Sequence, residues 1–135
     1  MLLPTPLIKG KLLQRYKRFF ADVVLECGTQ VTAHCANPGS MLGLKDPHLP
    51  VWLSQVPPES SRKLRYSWEL VCIGETLVGV NTSYPNKIVE EALLQKKIPE
   101  LAGYTTLRRE VRYGQNSRID ILLENSRQDL CYVEV

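Results

Sequence analysis

The sequence is short of the features that mark several protein classes. Among its 135 residues histidine occurs twice and cysteine four times, and aromatic side chains make up 7%. Cys27, Cys35, Cys72 and Cys131 form no C-x-x-C pair and stand too far apart for a structural zinc spacing. They read as reduced, buried, small apolar residues in a reducing compartment. No stretch approaches the roughly 20 consecutive apolar residues of a membrane span. The N-terminus lacks a basic leader, and Pro4 and Pro6 interrupt its apolar stretch, so the expected location is cytoplasmic, with no membrane partner. Internal repeats and low-complexity tracts are absent too. Ordinary globular composition remains, with 44% apolar and 23% charged residues.

The net charge is only +3, but it is unevenly spread. Residues 1–68 hold nine Lys and Arg against four acids, whereas residues 69–135 hold eight against ten. A basic first part followed by a mildly acidic second part suggests two units, the first facing a polyanion.

The pattern of apolar residues changes in the same way. As far as Asn81 it predicts short strands at Leu12–Leu13, Phe19–Leu25, Val31–Cys35, Val51–Leu53, Tyr66–Ile73 and Thr76–Val80, with turn chemistry at Gly28, Asn37-Pro38-Gly39-Ser40, Asp46-Pro47 and Gly74-Glu75. Five or six short strands in about 80 residues suit a small antiparallel barrel, OB-like or SH3-like. Beyond it, Pro85 and Asn86 signal a helix entry, and Ile88, Val89, Ala92 and Leu93 form an apolar stripe that Pro99 ends. Glu90 and Glu91 toward the start and Lys96 and Lys97 toward the end would complement the helix dipole. Strands are expected at Thr106–Tyr113, Arg118–Leu123 and Leu130–Val135. The fold class is therefore mixed: an all-β barrel over residues 1–81, then a helix with three strands over residues 82–135.

The final two strands carry the most specific chemical signal. If they pair antiparallel about Arg127, Asp120 lies opposite Glu134, and Ile119, Ile121 and Leu123 share an apolar face with Cys131, Val133 and Val135. Like charges directly opposed repel. A hard dication such as Mg2+ or Mn2+ would offset the repulsion, and so would solvation or a neighbouring Arg118 or Arg127. The chain stops inside its most apolar strand, which leads us to expect a fragment of a longer protein.

At the other end, Arg15, Lys17 and Arg18 interleave with Tyr16, Phe19 and Phe20, the mixture of cations and rings that single-strand nucleic-acid binders use. In a continuous strand Arg15, Lys17 and Phe19 would share one face and Tyr16, Arg18 and Phe20 the other, so at least one ring belongs to the core. Arg62, Lys63 and Arg65 form a second candidate for phosphate contact. His34 and Ser40 lie six residues apart across a turn, without the strained elbow of a hydrolase nucleophile. Asn37 reads as a structural turn opener.

Five blocks in order, RYKRFFADV from Arg15, HCANPGSM from His34, YSWEL from Tyr66, ELAGY from Glu100, and SRIDI from Ser117 with YVEV from Tyr132, resemble the sugar fermentation stimulation protein (SfsA) family. The resemblance implies an OB-fold domain joined to a nuclease-like domain of the PD-(D/E)XK type. It also implies non-specific binding of single- or double-stranded DNA and a link to sugar (maltose) metabolism. Asp120 then corresponds to the first acid of the nuclease motif and Glu134 to its second, as catalytic and metal-binding residues, with Glu91 as an additional metal-ordering acid. The motif lysine would follow Val135, so the 135 residues alone are expected to be inactive. The alternative to a purely DNA-binding protein is that a full-length form is a Mg2+- or Mn2+-dependent nuclease.

Overall fold

A computed structural model describes residues 1–135. It divides into two units, Leu2–Thr82 and Ser83–Val135 with Met1. No helix is long and apolar enough to cross a membrane.

The first unit contains β1 (Leu7–Tyr16), β2 (Phe20–Leu25), β3 (Gln30–His34), β4 (Pro50–Gln55), β5 (Tyr66–Ile73) and β6 (Thr76–Gly79). The strand order is β3-β2-β1-β4-β5-β6, and a parallel pairing of β3 with β5 closes the first five strands into an OB-like barrel, which excludes the SH3-like alternative. Alternation builds its interior. Along β2, Ala21, Val23 and Leu25 are buried while Phe20, Asp22 and Val24 are only partly covered. They meet Leu12, Ala33, Val51, Leu53, Trp68 and Val71 in one apolar core. Gly10 lets β1 cross close to β2: a Cβ there would stand 2.5 Å from Val23 Cγ1 and 2.7 Å from the Val24 carbonyl oxygen.

One acid lies inside this unit. The β4–β5 ladder shifts between Trp52 and Leu53, which pair with Leu70 and Trp68, so Glu69 between them bulges out of register. Glu69 is 2% exposed. Ser54 Oγ donates to its Oε1 (2.7 Å) and Asn81 Nδ2 to its Oε2 (3.2 Å), which supplies the partners that burial removes.

The second unit contains α1 (Pro85–Leu94), a 3-10 turn at Pro99–Leu101, β7 (Thr106–Tyr113), β8 (Ser117–Glu124) and β9 (Leu130–Val133), with sheet order β7-β8-β9. The helix differs from expectation. It ends at Leu94, because Lys96 takes a left-handed φ of 53°. Glu90 and Glu91 thus sit mid-helix and Lys96 and Lys97 beyond its end, so none of them complements the dipole. Its apolar stripe is not buried either, and Ile88 stays 50% exposed. A three-stranded sheet offers such a helix little surface to cover.

The cysteines also depart from the sequence reading. All four are free, but only Cys35 is buried, while Cys27 is exposed on the turn after β2. Leu25 accepts the Gly28 N–H (2.8 Å) in that tight turn, which leaves the Cys27 side chain outside the barrel.

Candidate nucleic-acid interface and the carboxylate pair

The β1–β2 connection is a hairpin tip rather than a continuation of a strand. Tyr16 pairs with Phe20, and Lys17 (φ 47°) and Arg18 (φ 62°) both take left-handed backbone between them. The connection is three residues long, closed by the Phe19 N–H on the Lys17 carbonyl, and its two successive positive φ values are a conformation usually written with Asn or Gly. Here the corner is written with two cations. Alternation breaks at Lys17, so the predicted two faces do not exist: Tyr16 and Phe20 stack on one another (5.4 Å, 16°), and Phe19 turns out to solvent at 45% exposure.

His34 ties this tip to the rest of the barrel end. It pairs with Phe20 in the β2–β3 ladder and with Ser67 in the parallel β3–β5 closure. Its ring lies nearly parallel to Phe19, with centroids 6.3 Å apart and 16° between planes. Arg62, from the 56–65 loop, donates through Nη1 to Ser67 Oγ (3.0 Å). Partial burial, and then the Arg62 charge, hold the His34 pKa below its ordinary value. The β1–β2 tip and the β4–β5 loop therefore meet at the end of β3, in the region where OB-folds bind oligonucleotides.

The predicted cations divide into two groups. Lys17, Arg18 and Lys63 are exposed, with no ion pair or side-chain hydrogen bond, and Arg62 spends a single nitrogen on Ser67. Arg15 and Arg65 are instead clamps on the backbone. Arg15 donates to the carbonyls of Arg18 (3.0 Å), Asn37 (2.8 Å), Gly39 (2.9 Å) and Ser40 (3.5 Å), tying the hairpin tip to the 37–40 turn. Arg65 donates to Ser60 (2.7 Å), Arg62 (3.3 Å), Val56 (3.5 Å) and Pro57 (2.7 Å), which shapes the 56–65 loop. Tyr16 is likewise engaged, its ring on Phe20 and its hydroxyl 3.4 Å from Asp22. Phe19 and His34 were missed as a pair by sequence reasoning. The β2–β3 ladder, which pairs Phe20 with His34 and sets the Cys35 N–H on the Phe19 carbonyl, brings them together, and the signal that could have found them is the symmetric spacing of the two strands about the turn at Cys27.

In the second unit the β8–β9 register runs Leu122↔Tyr132 and Ile121↔Val133, the pairing centred on Arg127. Extending it by one position sets Asp120 against Glu134. Ile119, Ile121 and Leu123 are buried, whereas Asp120 is half-buried and Glu134 exposed. Leu122, which strand alternation puts on the same side as Asp120, is also buried. Asn125 anchors the intervening loop, its Oδ1 accepting the N–H groups of Arg127 and Asp129 (2.9 Å each).

Asp120 Oδ1 accepts from Asn86 Nδ2 of α1 (3.0 Å) and Oδ2 from the Val135 N–H (3.0 Å). Glu91 points elsewhere. Its carboxylate meets the Met1 ammonium at 2.7 Å, and that hydrogen bond holds its pKa below the usual carboxylate value. No three His, Cys, Asp or Glu side chains converge, so Glu91 does not join Asp120 and Glu134 in a common cluster. Asp120 and Glu134 offer oxygen donors of the kind a hard dication takes, and each Asp120 oxygen keeps lone-pair capacity beyond its one hydrogen bond.

Comparison with known proteins covers both units. A model described as the SfsA N-terminal OB domain matches residues 13–80, and one described as the sugar fermentation stimulation protein RE domain matches residues 83–135. The chain is 56% identical over 142 residues to the sugar fermentation stimulation protein homolog of Rhodospirillum rubrum, and 58% identical over 135 residues to that of Rhodospirillum centenum. Each alignment covers 100% of this chain and 58% of the relative. The structure of Pyrococcus furiosus SfsA in complex with Ca2+ superimposes with a TM-score of 0.82 at 25% identity, covering 98% of this chain and 55% of that one. The chain thus spans somewhat more than half the length of the relatives it matches.

Proposed function

The chain belongs to the sugar fermentation stimulation protein family, and from that premise we propose that it binds DNA with little sequence preference at the β3 end of its barrel. The carrying observation is the set of cations there: Lys17, Arg18 and Lys63 have no protein partner, and Arg62 lies beside them. Cations that address phosphates read no bases, so the affinity is sequence-tolerant and falls with salt. A role in sugar metabolism rests on the family name alone, the cytoplasm is the location expected from the sequence, and DNA is the partner through which the role would act. The test is fluorescence anisotropy on unrelated DNA sequences across a salt series. The Lys17→Ala/Arg18→Ala variant should bind more weakly, with a salt slope shallower by up to about 2, since each lost phosphate contact removes roughly 0.7–0.9. An unchanged slope would remove these residues from the interface and the reading with them.

A second reading has its own observation. Extended one position past its last pair, Ile121 with Val133, the β8–β9 register would set Asp120 beside Glu134, and the Pyrococcus relative was solved with Ca2+, a hard dication of the class that carboxylates take. We propose that a chain of the relatives' full length cleaves DNA when supplied with Mg2+ or Mn2+, with Asp120 and Glu134 as ligands. Cleavage that is abolished by Asp120→Asn and by chelator supports this; cleavage that survives Asp120→Asn refutes it.

A further inference from the structure

We infer that Phe19 and His34 form a stacking platform for unpaired bases, so that this barrel end takes single-stranded nucleic acid in preference to duplex. The inference rests on the nucleic-acid reading above and narrows it.

Phe19 is placed by its backbone rather than by packing. Its N–H donates to the Lys17 carbonyl (2.7 Å) and its carbonyl accepts from the Cys35 N–H (2.8 Å), which fixes the residue from both sides while the ring remains 45% exposed. A large aromatic left outside a well-formed core, at the crest of a corner that costs two left-handed residues, contributes little to the fold. His34 continues the surface. Its strand pairings with Phe20 and Ser67 fix the backbone beneath it, and its ring plane departs from that of Phe19 by only 16°. Burial and the Arg62 charge both favour the neutral imidazole, which leaves an uncharged flat ring beside the phenyl. Tyr16 and Phe20 lie closer to one another (5.4 Å) and are only partly exposed, and Trp52 lies under the Lys9 ammonium (5.6 Å), so Phe19 is the ring beside Lys17 and Arg18 that is most open.

Lys17 and Arg18 directly precede Phe19, and Arg62, bonded to the Ser67 that pairs with His34, is followed by Lys63. Cations that track phosphates, set beside a ring that accepts any base, are what sequence-tolerant single-strand binding requires. In duplex DNA each base face is already covered by its neighbours. Only an unpaired base can use the platform.

The experiment measures anisotropy with the full 135-residue chain and three probes of about 15 nucleotides: oligo-dT, a duplex of the same length, and an abasic strand with the same phosphates. Wild type should prefer oligo-dT to the abasic strand. Phe19→Ala and His34→Ala should each weaken oligo-dT about 5- to 150-fold, the range of one lost base stack, and change duplex and abasic binding less than about twofold. Phe19→Trp should retain the oligo-dT affinity and shows that the corner still folds. Oligo-dT binding within twofold of wild type in Phe19→Ala, or an equal loss on the abasic strand, overturns the platform. If the duplex binds wild type as tightly as oligo-dT, the platform falls while the DNA-binding reading stands. If no probe binds, both fall.

Discussion

A guanidinium that already holds four carbonyls is not free for a phosphate, and this separates Arg15 and Arg65 from their basic neighbours. Arg15→Ala would leave the Asn37 and Gly39 carbonyls without their donor, at a cost of about 1–3 kcal/mol. We expect a lower Tm by thermal melting and an unchanged salt slope in DNA binding, the reverse of what Lys17→Ala should do. His34 carries a pH signature. Its folded-state pKa lies below the unfolded value of about 6.5. The unfolded chain therefore binds the proton more readily, so the stability is full above about pH 6.5 and falls as pH drops toward the folded pKa. His34→Gln should remove that part of the slope in urea melts between about pH 5 and 7. Because the ring is only partly buried, the effect is shallow.

At the level of elements, the β1–β2 corner exchanges stability for charge. Lys17 and Arg18 both hold left-handed backbone, which favours Asn and Gly. Lys17→Asn/Arg18→Gly should raise stability by about 1 kcal/mol while weakening DNA binding, and melting with anisotropy on the same sample reads both. Gly10 shows the opposite sensitivity. A methyl there collides with Val23 and with backbone, so Gly10→Ala should cost about 1–3 kcal/mol or more in a denaturant titration. The strands were legible because alternation and turn residues agree along β2, β3, β5, β7 and β8. The left-handed corner was not, since nothing local marks Lys-Arg as a site of positive φ, and the sequence spread one strand pattern across it. Glu69 was equally hidden, because its partners Ser54 and Asn81 lie 15 and 12 residues away. Spacing predicted the hairpin register of β8 and β9 because both flank one loop, whereas the position of Glu91 depends on which way the helix turns.

On the scale of the whole molecule, the barrel has a core of its own. Every residue of its apolar cluster falls between Leu12 and Val80, and the chain divides after Thr82. Residues 1–82 expressed alone should therefore melt in one cooperative transition and keep DNA affinity within about threefold, as read by circular dichroism and anisotropy. The uneven charge of the two halves has the same division. The circuit of strands is closed by only two rungs, Ala33 with Tyr66 and His34 with Ser67. A strand of nucleic acid lying from the Lys17 corner to Arg62 would cross that seam, acting as a splint over the narrowest joint of the barrel. Occupancy should then slow amide exchange along the seam, which makes the ligand a fastener of the fold as well as its cargo.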